Sequence, residues 1–304
     1  MLAPSTTFHA PPDMIRSIFN RILGYFWDGS DRHKTLTHEE ILAAGNIAPP
    51  LSIDYSETLN VFDNVVRDCI TVSRQYSGIA SPTTKHFYAS VLFTSLISRG
   101  ISLAILAPHS PWASKMIEHW DYASAAVITR TMIELRAAFH YLCTDECSEE
   151  EWQCRWTLLK LHDCLSRKRL FEARTETSGD SARFEQQAEE LRSDLQKNTH
   201  FMGLSQQKKL LNGQTAYLFA IEDMAENAGI KKEDYRFLHV MLSSHVHGLP
   251  MSYFRMGEQE RGRGLPSPVE ETYTSVCLAC AASILATTRD EVRTLFYTIG
   301  GDTA

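Results

Sequence analysis

An all-α fold, a multi-helix bundle with a helical N-terminal appendage, is what this chain of 304 residues predicts. Three observations carry that expectation. Long stretches repeat apolar residues with a 3.6-residue period, Ser, Thr, Pro and Gly punctuate their ends, and no segment shows the strict alternation of a half-buried strand. With 43% hydrophobic and 22% charged residues the chain has an ordinary globular composition. Its length suffices for one large core or two modest ones. The expected division is an appendage over residues 1–50 and a main helical bundle over residues 51–299.

The first dozen residues, rich in Pro, Ser and Thr, predict disorder. Ile15, Ile18, Phe19, Ile22, Leu23 and Phe26 then recur on one face of an amphipathic helix. Asp28 to Asp31 break it, Thr37 with Glu40 forms a capping box, and Pro49-Pro50 closes the appendage. Within the bundle, Leu59, Phe62, Val65, Val66, Cys69 and Ile70 predict a helix over 53–76, and a second runs from Pro82 to Leu106. Pro108 and Pro111 interrupt, and 112–120 reads as a short helix or turn. The most hydrophobic helix spans 122–143, a long amphipathic one 149–174, and a charged one 181–197 whose thin apolar face (Phe184, Ala188, Leu191, Leu195) suits the outside of the bundle. Further helices are expected over 215–228, 232–247 and 269–297, with Gly248-Leu249-Pro250 as a stop. The Gly- and Arg-rich stretch 256–268 reads as a mobile surface loop whose Arg261 and Arg263 are solvated or touch an anion.

A formal charge of -7 does not favour a nonspecific nucleic-acid coat. The seven cysteines fall mostly inside helical patterns and no signal peptide is seen, so free thiols in the cytoplasm are expected. Cys277 and Cys280 form a C-x-x-C in an apolar run without a second pair, which reads as packed core thiols rather than zinc ligands. The apolar stretch 87–106 carries Ser90, Thr94, Ser95, Ser98, Arg99 and Gly100, which reads as a buried soluble helix, and no membrane partner is expected. Neither a cofactor nor a metal is expected. Helical di-metal sites use paired Glu-x-x-His, and Glu118-His119 has the wrong spacing.

Two helices carry polar groups where a bundle is apolar. On a wheel of the first, Ile128, Met132, Leu135, Phe139 and Leu142 form one apolar sector, while Thr129, Arg136 and His140 gather on a side that reads as solvated. Arg130 and Glu134 have Val127, Ala137, Ala138 and Tyr141 as neighbours, which inserts the pair into the packed surface. Burying charge costs several kcal/mol per ion before pairing offsets it, so the pair is either a buried salt bridge fixing register or a site. In the second helix Tyr235, His239, Ser243 and His247 step by four, with His245 on the opposing side. Imidazoles grouped at a helix end suit acid/base chemistry, although a single core histidine satisfied by a carbonyl is the blander reading. The candidate catalytic groups are His239, His247 and Glu134. The candidate ligand-binding groups are Arg130, Tyr235, Ser243 and His245.

These motifs, Arg130-x-x-x-Glu134-Leu135 and Tyr235-x-x-Leu238 followed by Ser243, Ser244, His245, His247 and Gly248, resemble those of an uncharacterised bacterial all-helical domain family over roughly residues 55–295. The resemblance implies a bundle in which Arg130 and Glu134 approach the Tyr235 helix, and it implies no activity. The chain also resembles HEPN ribonucleases of toxin and phage-defence systems, whose Arg and His, separated by four to six residues, would here be Arg155 and His162. The 20 arginines and 12 histidines of the chain give about two such matches by chance, and Trp156 stands where those enzymes have a polar residue. The expected function is therefore a polar pocket, formed by Arg130, Glu134 and residues 235–247, that binds a small anionic or nucleotide-like ligand. The alternative is a metal-independent ribonuclease acting on RNA. The N-terminal helix, with Phe19, Phe26 and Trp27, is the expected surface for a homodimer or docking partner.

Overall fold

A computed structural model describes residues 51–173, 180–254 and 261–300. The expected N-terminal helix, the capping box at Thr37, the break after residue 174 and the start of the Gly-rich loop lie outside the described residues. Among those described there are eleven α-helices and no strand, apart from a single bridge between Trp120 and Gly264.

Local sequence explains most helix starts. Helix α1 (Ile53–Gln75) opens where the Ser52 hydroxyl accepts from Tyr55 N at 3.2 Å, and α2 (Thr84–Leu106) where Thr83 accepts from His86 N. Helix α3 (Tyr122–Phe139) opens on Asp121, whose carboxylate takes Ser124 N at 3.0 Å. Each cap satisfies a donor that the first turn leaves without a partner. Helix α3 runs into one π turn (His140–Thr144), closed by a bond from Asp145 N to His140 O at 2.8 Å. Then come α4 (Glu149–Ala173), α5 (Asp180–Lys197), α6 (Thr199–Met202), α7 (Gln207–Leu211), α8 (Ile221–Asn227), α9 (Lys232–Val246), α10 (Pro250–Tyr253) and α11 (Pro268–Gly300).

Helix α11, 33 residues long, is the centre of the bundle, packed on α1, α2 and α3. Phe62, Val66, Cys69, Leu96, Leu103, Met132, Phe139, Leu278 and Leu285 there are fully buried. Each such side chain contributes roughly 1.5–3 kcal/mol on leaving water. Gly100 lets α2 approach α11: a Cβ there would stand 2.9 Å from Leu285 Cδ1. By length and composition α2 could cross a bilayer; here its Phe93, Leu96 and Leu103 are buried in a bundle in which α2 packs on α1, α3 and α11. On the other side of α3 lie α8 and α9.

A second core sits apart, between α4 and α5. Cys154, Leu158, Leu161 and Cys164 meet Ala188, Leu191 and Leu195 there, and Phe201, Leu210 and Leu218 close it. The thin apolar face of the charged helix is thus spent on α4. This arm joins the bundle at the π turn, whose free carbonyls accept from α4: Tyr141 O takes Arg155 Nη1 at 2.7 Å and Leu142 O takes Trp152 Nε1 at 2.9 Å.

Several expectations are corrected. Of the two readings of residues 112–120, the turn holds and the helix does not; the loop is tied down by Tyr55 Oη donating to Pro108 O and by Trp112 Nε1 donating to Asp63. The helix expected over 215–228 begins only at Ile221, because the Thr215 hydroxyl takes Tyr217 N and Leu218 turns into the second core. Thr129 and Arg136 are not solvated: both are buried, and His140 is partly so. Arg136 makes a two-pronged ion pair with Glu291 of α11, both bonds 2.6 Å, and donates to Ala228 O. The wheel had no means of showing that α11 covers that side. Arg261 is buried too, packed over the Tyr273 ring, so this part of the Gly-rich segment is not a solvated loop. All seven cysteines are free, and burial pushes the Cys69, Cys143 and Cys277 thiols up to about 12.

Candidate functional site

Helices α3 and α9 bring together five of the seven residues singled out from sequence, Arg130, Glu134, Tyr235, His239 and Ser243, with His247 at their edge. Arg130 is the hub. Its side chain is 10% exposed, its Nη2 meets Glu134 Oε1 at 2.9 Å, and its Nε donates to Ser243 Oγ at 3.0 Å across the helix interface. The first contact follows from the i,i+4 spacing on one helix. The second is tertiary. Only half of the expected burial of the pair holds, since Glu134 is 49% exposed and forms the outer edge of the site. The third nitrogen of Arg130, Nη1, is buried and has no hydrogen-bond partner among the described residues.

One and two turns before Ser243 in α9, His239 and Tyr235 stand ring to ring at 5.5 Å. Burial raises the Tyr235 phenol; Arg130 opposes this, while Glu134 and Glu222 of α8 add to it. Burial and the Arg130 charge both lower His239, against the pull of Glu134. The imidazole is therefore neutral at pH 7 and able to accept a proton. Exposed His247, at the end of α9, is close enough to lower His239 further. Glu222 is held by Arg236 at 2.7 Å.

His245 is not part of this group. Two residues on from Ser243 is a rotation of about 200°, which places it on the opposite side of the helix. There its ring stands edge-on to Tyr122 at 5.0 Å, and burial lowers its pKa.

Around Tyr122 the structure gathers groups that sequence reasoning did not join. A cavity of about 110 Å³ is lined by His119, Trp120, Asp121, Tyr122, Ala123, Gly262, Gly264 and Glu270. Glu270 is fully buried, taking Gly262 N on Oε1 at 2.8 Å and Tyr122 N on Oε2 at 3.3 Å. Burial pushes its carboxyl up to about 7, the two backbone bonds and Arg261 opposing, Asp121 adding. It stands in the first turn of α11, where a carboxylate ordinarily favours the helix dipole. No local signal announced its burial.

Arg155, half of the proposed ribonuclease motif, has all three guanidinium nitrogens engaged. Nε and Nη2 reach Glu151, and Nη1 reaches Tyr141 O and Asp145. Among the described residues no cluster of three or more His, Cys, Asp or Glu has the arrangement of a metal site.

No curated protein and no solved structure matches the chain. Residues 86–263 match the model of a family of unknown function, DUF5677, a span that holds all of α3 and α9 but leaves out Glu270. That match covers more than half of the chain, which thereby belongs to the DUF5677 family of unknown function, as the Arg130 and Tyr235 motifs in an all-helical setting led one to expect.

Proposed function

We propose that the face between α3 and α9 binds a small anionic or nucleotide-like ligand with Arg130 as its anchor. One observation supports this above the rest. A buried guanidinium nitrogen without an acceptor, Nη1 of Arg130, costs the fold roughly 1–3 kcal/mol, and a ligand oxyanion would recover that cost. Ser243 and Glu134 hold the other two nitrogens, so the guanidinium is fixed in orientation before a ligand arrives. Tyr235 and neutral His239 border the same spot, His239 as a proton acceptor and Tyr235 as a hydroxyl donor. Glu134 and His247, at the exposed rim, would orient the ligand or exchange its proton. The seven free thiols fit a cytoplasmic setting.

The test is thermal unfolding of the wild type and Arg130→Met with inorganic phosphate and with AMP. A ligand at a hundred times its Kd stabilises by about 2.7 kcal/mol. The wild type is expected to gain stability with ligand concentration and the variant is not; equal responses, or none in the wild type, would refute the reading. Against a ribonuclease built on Arg155 and His162 speaks the commitment of Arg155 to Glu151 and Asp145.

A further inference from the structure

Helix α2 packs on α1, α3 and α11, and its fourth side is uncovered among the described residues. Along that side run Phe87, Val91, Thr94, Ser98, Ile101 and Ile105, of which Phe87, Val91 and Ile105 are 51%, 45% and 46% exposed. The steps between them are four, three, four, three and four residues, the spacing of a coiled-coil seam. No exposed residue of α2 carries a charge. Arg99, the nearest one, is drawn toward α3, where its Nε donates to Thr131 at 3.0 Å while Nη1 reaches Ser95. An uncharged seam of that length is normally covered by a second helix.

The seam reads alike from either end. Large apolar side chains stand at both ends, Phe87 and Val91 at one and Ile101 and Ile105 at the other, with the small Thr94 and Ser98 between them. A two-fold axis passing between Thr94 and Ser98 therefore sets two such helices antiparallel with Phe87 of one copy on Ile105 of the other and Val91 on Ile101. Small residues at the axis let the backbones approach. An isologous interface requires this self-complementarity, and an unrelated partner does not. A membrane-surface helix borders its apolar face with Lys and Arg, whereas Arg99 is spent on α3. The hydroxyls can leave water at little cost, because Ser98 Oγ donates to Thr94 O and Ser102 Oγ to Ser98 O, each at 3.0 Å. On the α3 side the surface continues through half-buried Ile128 and Leu135, one turn to either side of Thr131. The seam is about 27 Å long and, with that flank, about 18 Å wide, so two copies cover roughly 1,000 Å² in all, the size of a reversible association.

We infer that the uncovered side of α2 is a dimer interface, on which a second copy of this chain packs its own α2 antiparallel about a two-fold axis at Thr94 and Ser98. An interface of this area without ion pairs gives a Kd on the order of micromolar. Helix α9 lies across α3 from α2, so the dimer leaves the Arg130 face free.

Sedimentation velocity of the full chain from about 1 to about 200 µM is expected to show a reversible monomer–dimer equilibrium. Ser98→Glu sets two carboxylates beside the axis and is expected to raise the Kd about tenfold or more, as is Val91→Lys. Both positions are exposed, so unchanged circular dichroism is expected to show that the variants fold. The antiparallel register is read by disulfide cross-linking: a mixture of Val91→Cys and Ile101→Cys proteins is expected to join copies beyond the wild-type background, and neither variant alone. A wild type that stays monomeric throughout, a dimer indifferent to both charged substitutions, as one built by the segment from Ile15 to Phe26 would be, or cross-linking by Val91→Cys alone would overturn the inference. So would binding of monomers to vesicles of phosphatidylcholine and phosphatidylglycerol that Ser98→Glu abolishes, which would give this face to a membrane. Should neither charged variant fold, the cross-link decides.

Discussion

Glu270 makes stability depend on pH in a direction opposite to that of most carboxylates. Its carboxyl moves from an ordinary 4.5 to about 7 in the fold, so between those values the folded chain holds a proton that the unfolded chain has released. Stability therefore falls as pH rises through that window: the contribution is complete below about 4.5 and lost above about 7. A shift of about 2.5 units corresponds to about 3 kcal/mol. His140, His162, His239 and His245 act in the other sense, because burial lowers each of them and favours the neutral ring. Their stabilisation grows as pH rises through the range below 6.5, and the raw curve mixes the two trends. Glu270→Gln separates them. Glutamine keeps the shape but cannot titrate, and its single amide oxygen can accept only one of the two backbone N–H groups, which lowers the variant by a constant amount. Urea unfolding of both proteins from pH 4.5 to 8.5 gives the difference curve. The wild-type advantage is expected to shrink by about 3 kcal/mol between pH 4.5 and 7 and to level off beyond it. A difference independent of pH would mean that Glu270 is ionised throughout, and the account of its burial would fall.

Three further outcomes are expected. Glu291→Gln leaves the buried Arg136 without its counter-charge and also removes a partner of Thr144, costing about 3 kcal/mol by chemical denaturation. A cost within about 0.5 kcal/mol would show that the pair is worth no more than a surface one. Gly264→Ala combines a left-handed backbone with a clash against His119, so a loss of about 2 kcal/mol in unfolding experiments is expected, and an unchanged protein would mean that the His119 ring swings aside freely. Towards a disulfide reagent at pH 8, the native thiols are expected to react slowly, half-buried Cys147 first, with all seven reacting once unfolded. Rapid native labelling of Cys277 would contradict its place in the core.

The long helices were legible because their signals are local. Ser52, Thr83 and Asp121 cap where a hydroxyl or carboxylate precedes an apolar period, and the observed bounds of α1, α2, α4 and α9 fall within two residues of those read from the sequence. The Arg130–Glu134 contact was legible for the same reason, being one turn of one helix. What was illegible is tertiary. Nothing near Arg136 announces Glu291, 155 residues away, so a wheel assigned that face to water. Ser243 was placed on the right stripe, but its bond to Arg130 depends on how α3 and α9 cross. His245 was drawn into the wrong group because nearness in sequence at a helix end is not nearness in space. Trp120 and Glu270 come from separate segments, and only the folded chain brings them to one cavity.

The separation of the two cores bears on how the molecule opens. The arm of α4 and α5 keeps its own apolar interior and is tied to the rest chiefly where Trp152 and Arg155 reach the π turn. An arrangement of that kind divides a chain into units that open with different free energies. Amide hydrogen exchange would then fall into two tiers: slow protection along α1, α3 and α11, and a lower common plateau along α4 and α5. Loosening the junction with Arg155→Met would lower the second tier and leave the first in place. Motions of the arm would thus run their course without disturbing either α9 or the cavity beside Glu270.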